Sequence, residues 1–401
     1  MDPTASVLLL NHYERLSPRV ALEAATLRQA GYRIWTLYWD RSATPQPPAK
    51  RGCSSFEIRI PYPASRGTLR LLPRLPLFYL RAIRRLQAER ARFDIVHCTH
   101  LMLLPLAVYL KARWKSKIIY DVYEFHLHET SERLPGGLRW LVPLLRRLED
   151  VLVRRVDGVL TVDSVGGELE HRYRALNPNT LALYNVPEAQ PEFDPGKLEE
   201  LERHYANRDL VIYVGGLSEA KGALILPEVI HHVAGKCPRV LFIIIGTFHK
   251  DSTRRRFWAM IEELGVKGFL EFLPWLPYRE MLYYVALSKV GLALYQPIPR
   301  YLRSSRGNGR KFFTYMQVGI PIVGPRFGEI GRVVQEENCG LLVDTADPEA
   351  VAQAVLFLLE NPKEAREMGK RGQVAVRERY NWDIERRKLL RVYAKALEDA
   401  S

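Results

Sequence analysis

The sequence predicts an α/β protein with two doubly wound, Rossmann-like parallel-sheet domains, and three observations carry that expectation. Apolar strand-like runs alternate with helix-period segments from one end of the chain to the other, the pattern that sets parallel strands side by side with helices crossing between them. The alternation is interrupted at residues 185–195, NVPEAQPEFDP, where three prolines and several acids break any apolar period and read as a linker. The 401 residues, 47% of them hydrophobic, exceed what one core of roughly 100–200 residues needs. The expected division is a first domain at 1–185 rejoined by a C-terminal helix at about 383–401, a linker at 186–195, and a second domain at 196–382.

In the first half the expected strands are 7–11, 34–38, 95–98, 118–121 and 158–162, runs apolar enough to be buried on both faces. The first helix is written at both ends. Ser17 can cap it, Pro18 suits a first turn where an N–H has no partner to lose, and Gly31 can stop it in left-handed geometry. Its inner stripe is Val20, Ala24 and Leu27. The second half offers strands at 210–214, 240–245, 270–273, 290–294, 321–323 and 341–343, then three helical stretches, the last from about 382 to 399. Facing carboxyl ends of two such sheets would form a ligand-binding cleft.

Composition excludes several classes. Charged residues are 26% and mean hydropathy is -0.17, so the chain can bury a core and is not disordered. The longest apolar run, LMLLPLAVYL from Leu101, contains Pro105 and has about half of the roughly 20 residues that cross a bilayer. The start, MDPTASVLLL, has no basic segment before its apolar run, so it reads as a buried strand and a cytoplasmic protein is expected. Cys53, Cys98, Cys237 and Cys339 form no Cys-x-x-Cys pair and read as small core residues. Lys and Arg outnumber Asp and Glu by 59 to 45, and residues 1–190 hold 28 basic against 18 acidic side chains. That field attracts nucleic acid, anionic lipid or a nucleotide. Nucleic acid is not expected as a partner, because no aromatic RNP sheet or helix-turn-helix signature accompanies the charge.

Two segments bear on a membrane surface. Residues 66–92 carry eight arginines against Glu89 alone, interleaved with leucines, and LRWLVPLLRRLEDVLVRR is similar. Such stretches lie on anionic lipid with leucines dipped in and arginines at the headgroups. The other reading is an ordinary surface helix with its leucines turned to the core.

The strand at 210–214 runs into Gly215-Gly216-Leu217-Ser218-Glu219-Ala220-Lys221-Gly222 and then a helix. Glycines let the backbone approach an anion, a helix start offers unpaired N–H groups, and Lys221 adds a full charge. Taken alone the segment reads equally as a tight turn with a solvated lysine.

VGGLSEAKG is followed in order by LFIIIG, PWLPYREM, VGLALYQP, RKFFTYMQVGIPIVG and EENCGLLVD, and preceded by SPRVALEAATLRQAGY, DIVHCTHLMLLP and KIIYDVYEFH. This series resembles glycosyltransferase family 4. The resemblance implies the GT-B fold, two Rossmann-like domains with a nucleotide-sugar held mainly by the second, and a metal-independent retaining transfer. The sequence contains no Asp-x-Asp, the diphosphate metal motif of the other large glycosyltransferase fold. Carried over by position, Lys221 and Lys311 match the lysines that hold the donor diphosphate, and with Glu124 and His126 they are the implied catalytic groups. The donor-binding set adds Gly215, Gly216, Ser218, Gly246, Trp275, Leu276, Arg310, Thr314 and Glu329. His97, His100 and His128 are further acid–base candidates. His126 and His128 alone do not make a metal site, for want of a third ligand. The implied acceptor is a lipid-linked or other glycan at the cytoplasmic face of a membrane.

Three positions depart from the family. Gly216 stands where a phosphate-binding arginine is usual, Thr314 where a glutamate grips the ribose, and Arg306 where the first glutamate of the Glu-x7-Glu pattern would be; Tyr123 also replaces the usual histidine before Glu124. Arg300, Arg303, Arg306 and Arg310 precede Lys311 and are candidates to restore the missing clamp. They read otherwise as a solvated loop face. The departures also admit a binding or partner subunit without turnover.

Overall fold

In the computed structural model the described residues are 5–13, 15–41, 55–62, 72–89, 92–122, 140–162, 167–298, 301–302 and 310–398. The chain forms two compact units. One comprises Met1–Asp163, Gly167–Leu183 and Glu385–Ser401, the other Ser164–Gly166 and Tyr184–Ile384.

The first unit is built on β1 (Ser6–Asn11), β2 (Arg33–Asp40), β3 (Ser55–Pro61), β4 (Ile95–Cys98), β5 (Lys117–Val122), β6 (Gly158–Val162) and β7 (Thr180–Leu183). They lie in the order β3-β2-β1-β4-β5-β6-β7, all pairs parallel. β1, β4 and β6 are buried along their whole length, as strands covered by helices on both faces must be. β3 and β7, absent from the expected set, are the two edges. β3 alternates, burying Ile58 and Ile60 while Glu57 and Arg59 pair at 3.1 Å on the other side. An edge strand with one covered face can alternate in this way and so escape a search for continuous apolar runs.

The helix Pro18–Gln29 starts and stops as its sequence dictates. Ser17 accepts a hydrogen bond from the Val20 N–H at 3.3 Å, Gly31 has φ +93°, and Val20, Ala24 and Leu27 are buried. Its polar inner residues form a buried network with two strands and the C-terminal helix Trp382–Glu398. Arg19 binds Glu23 at 2.8 Å and Asp121 at 2.7 Å, and His97 Nδ1 lies 2.7 Å from the Tyr393 hydroxyl. Burial and the neighbouring Asp121 push the Glu23 carboxyl up to about 7.

Both arginine-rich stretches expected to be amphipathic contain helices. In Leu75–Ala88, Phe78, Ala82 and Leu86 enter the core at one spacing while Leu77 and Leu80 stay exposed. In Leu141–Val153 only Glu149, Leu152 and Val153 are buried, and Trp140, Leu144 and Leu148 form an exposed stripe at i, i+4 and i+8. Among the described residues no helix is long and apolar enough to cross a membrane.

The second unit contains β8 (Asp209–Val214), β9 (Val240–Ile245), β10 (Leu270–Leu273), β11 (Val290–Leu292), β12 (Ile322–Pro325) and β13 (Gly340–Val343). The parallel order is β10-β9-β8-β11-β12-β13. Each expected strand is present, β11 ending two residues early. Both sheets grow outward in two directions from a central pair, β1/β4 in one unit and β8/β11 in the other. Such a switch point leaves a crevice at the strands' carboxyl ends.

Candidate functional site

At the switch point of the second sheet, β8 and β11 pair only as far as Ile212 and Gly291, then part. The hydroxyl of Tyr315, on the helix Arg310–Val318, fills the gap. It accepts from the Val214 N–H at 3.0 Å and donates to the Leu292 carbonyl at 3.2 Å, so neither backbone group is left unpaired where the strands diverge. Gly291 makes room for that ring, since a Cβ there would lie 2.5 Å from it.

The turn leaving β8 is held from below. Tyr213 donates from its buried hydroxyl to the Lys221 carbonyl at 3.0 Å, and the Gln296 N–H binds the Ala220 carbonyl at 3.0 Å. Gly215 has φ +132° and Gly222 φ +77°, conformations that side chains resist. A Cβ on Gly222 would also meet the Leu294 carbonyl at 2.5 Å. Ser218 precedes the short turn Glu219–Lys221 and gives its carbonyl to the N–H groups of Lys221 and Ala223 at 2.9 and 3.1 Å.

Into this crevice comes Lys311. Its stem is half-buried, but its ammonium is fully enclosed and has no hydrogen-bond partner. It rests 4.0 Å from the centre of the Tyr213 ring and 4.9 Å from that of Tyr295, and a Cβ on Gly215 would be 3.9 Å from its Nζ. Burial pushes its pKa well below the ordinary lysine value, and the charge of Lys221 pushes the same way. Two lysines 90 positions apart are thus electrostatic neighbours on a glycine turn. An anion between them would supply the charge and the acceptor oxygens the site lacks.

The remaining expected positions are distributed around the same unit. Gly246 follows β9, and a Cβ there would strike the Gly215 carbonyl oxygen at 2.0 Å. Leu276 is half-buried against the core of this unit, and Trp275 is 58% exposed. Thr314 is buried with its hydroxyl 3.5 Å from that of Tyr278. Glu329 opens the helix Gly328–Glu337, 3.5 Å from Arg332. Arg310 begins the same helix that carries Lys311. Tyr123, Glu124, His126, His128, Arg300, Arg303 and Arg306 lie outside the described residues.

In the first unit, at the β1/β4 switch point, His100 accepts from the Met102 N–H at 3.0 Å, and its ring lies 4.1 Å from that of His12. His97 belongs to the buried network around Arg19.

Tyr213, Tyr295, Tyr315 and His249 were not among the expected residues. His249, after β9, is exposed, and a Cβ built on Gly216 would lie 2.1 Å from its Nε2. Only the tertiary fold brings these four rings to one turn.

Comparison with known proteins agrees with this geometry in both halves. Residues 197–374 match the family described as glycosyl transferases group 1, and residues 16–182 match the glycosyl transferase 4-like domain. The chain is 27% identical over 296 residues to D-inositol 3-phosphate glycosyltransferase of Corynebacterium glutamicum, covering 70% of this chain and 67% of that one. Among solved structures, sucrose-phosphate synthase from Thermosynechococcus elongatus superposes with a TM-score of 0.75 at 17% identity, over 99% of this chain and 100% of that one. Anabaena HepE in complex with UDP-glucose gives 0.66 at 14% identity, over 97% and 99%. With each half matched and a two-sheet fold to accompany it, the chain belongs to glycosyltransferase family 4 and is a glycosyltransferase of the GT-B fold.

Proposed function

We propose that this enzyme moves a sugar from a nucleotide-diphosphate sugar to a lipid-linked or other glycan acceptor at the cytoplasmic face of a membrane, with retention of configuration and without a metal. The observation that carries the donor class is the buried, unpaired ammonium of Lys311 beside Lys221 at the second sheet's switch point. A solved relative holding UDP-glucose supports the same donor.

In this reading the bond from the anomeric carbon to the β-phosphate oxygen breaks as the bond to the acceptor oxygen forms on the same face, and the acceptor proton passes to the departing phosphate. Charge on the diphosphate rises along that path. Lys221 and Lys311 therefore bind the transition state more tightly than the donor. The chain's contribution is placement and charge, which asks for no nucleophile.

Membrane docking is supported by the exposed Trp140, Leu144 and Leu148 beside exposed Arg146, Arg147, Arg154 and Arg155. Apolar side chains enter the headgroup boundary while arginines meet anionic lipid. The protein is expected to float with liposomes containing anionic lipid, and Leu144→Glu with Leu148→Glu to abolish flotation; flotation unaffected by that double change would remove the docking surface.

The assay for the reaction is incorporation of labelled sugar into lipid extract in the presence of a chelator, with the product's anomeric configuration read by NMR. Lys221→Ala should lower transfer about 10²–10³-fold. The reading as a partner subunit without turnover is favoured by Thr314, which fills the ribose-gripping glutamate's place yet is buried near Tyr278. Tight nucleotide binding with neither transfer nor hydrolysis of any donor would establish that reading instead.

A further inference from the structure

We propose that His249 is the diphosphate ligand that takes over from the family's arginine at position 216, and that the glycine there exists to admit it. The inference rests on the donor-diphosphate reading of this site and assigns it a residue that sequence position does not.

Three observations carry it. Gly222 and Gly215 are held to glycine by positive φ, whereas Gly216 has no such backbone constraint. The obstacle to a side chain at 216 is the imidazole. A Cβ there would lie 2.1 Å from His249 Nε2 and 3.0 and 3.1 Å from its two flanking ring carbons. An arginine at 216 and this histidine pose are mutually exclusive.

The loops that carry the two residues are also joined. The Leu217 N–H binds the Thr247 carbonyl at 2.8 Å and the His249 N–H binds the Leu217 carbonyl at 3.0 Å. His249 is thereby fixed in backbone relative to the turn that ends in Lys221, while its ring stays exposed to an incoming ligand. Nε2 sits where an arginine's stem would leave the backbone.

An imidazole donates an N–H to a phosphate oxygen in either protonation state, and as a cation it does so more strongly. It would complete a three-part clamp with Lys221 and Lys311. The candidate arginines before Lys311 are not required for that count.

The experiment uses the full chain and titrates uridine, guanosine and adenosine diphosphates, each beside its monophosphate, by calorimetry. For whichever diphosphate the wild type prefers, His249→Ala should weaken binding by about 10–100-fold and narrow the preference for diphosphate over monophosphate. The unliganded melting temperature, measured alongside, separates any loss of folding from loss of the ligand contact. Gly216→Arg alone should push the exposed imidazole out of this pose and bind within about threefold of wild type, one ligand exchanged for another. Gly216→Arg combined with His249→Ala should regain wild-type affinity to within about threefold, the arginine replacing one charge-assisted bond with another.

Wild-type affinity in His249→Ala, or a double variant no better than His249→Ala alone, overturns the inference and leaves the site itself standing. A wild type that binds none of the three diphosphates, while Lys221→Ala behaves identically, overturns the site and this assignment together.

Discussion

Replacing Lys311 by methionine should raise the melting temperature of the free protein and at the same time abolish its response to nucleotide. The ammonium is enclosed, has no hydrogen-bond partner, and lies between the rings of Tyr213 and Tyr295. Burying an unpaired charge is unfavourable, and exchanging a buried ion for a well-packed apolar side chain stabilises by about 1–4 kcal/mol. A methionine follows the same stem and offers its thioether to the same two rings. For a unit of this size each kcal/mol moves the midpoint by about 2–4 °C, so a rise of several degrees is expected, with transfer lowered about 10²–10³-fold.

The pH dependence has a definite sign. In the folded, unliganded protein the Lys311 pKa lies below its unfolded value. Between the two values the unfolded chain binds more protons, so wild-type stability rises with pH across that window. Below the folded value the full penalty applies. The advantage of Lys311→Met should therefore shrink as pH rises toward the ordinary lysine range. A diphosphate favours the ammonium, so nucleotide binding in the same window should take up protons, measurable by calorimetry in buffers of different ionisation enthalpy. A Lys311→Met variant that melts lower than wild type and still binds nucleotide would refute the account.

The second large effect is expected at Gly246. An added Cβ would lie 2.0 Å from the Gly215 carbonyl oxygen and 3.0 Å from its carbon. Neither strand can yield easily, because the Gly215 N–H is bound to the Ile245 carbonyl at 2.9 Å and the Gly246 N–H to that of Leu273 at 3.2 Å. Overpacking against backbone costs about 1–3 kcal/mol and occasionally more, and the upper end applies where the obstacle is a main-chain oxygen. Gly246→Ala should lower the melting temperature by about 5–10 °C and displace the turn that carries Gly215 and Lys221, so nucleotide affinity falls with it. Gly268→Ala is the control. A Cβ there meets nothing within 4 Å, and its effect should stay within about 0.5 kcal/mol. Equal melting temperatures for the two variants would contradict the packing seen here.

Much of this fold was legible in the sequence because a parallel strand buried on both faces is a run of apolar residues that little else imitates. VLFIII at β9 is such a run, and it is buried throughout. The edges were less legible. β3 carries Glu57 and Arg59 within seven residues, and its alternation is brief enough to pass for a loop. The end of β11 was overestimated because Ala293 and Leu294 are as buried as the strand they follow. Burial marks a strand only where a ladder partner persists.

The site divided in the same way. Lys221 could be placed because the strand, the glycines and the charge are contiguous in VGGLSEAKG. That Lys311 shares its neighbourhood required the family's residue order, since 90 positions separate them and periodicity says nothing of such distances. Tyr213, Tyr295 and Tyr315 carried no signal, because a tyrosine at a strand end is ordinary core until the partner groups of its hydroxyl are known. Gly216 was read as a missing arginine. The imidazole occupying its place is visible only when the loops after β8 and β9 are joined.

The helix Trp382–Glu398 has a consequence for biosynthesis. Residues 184–384, with 164–166, form one unit, whereas the other combines residues 1–163 and 167–183 with the distant residues 385–401. On the ribosome the first sheet emerges early yet must wait until residues 385–398 are made before Tyr393 reaches His97 and the Val392 carbonyl reaches Asn179. The unit begun first is therefore completed only after the later one, and a nascent chain stalled before residue 385 would leave His97 and Asn179 without these partners.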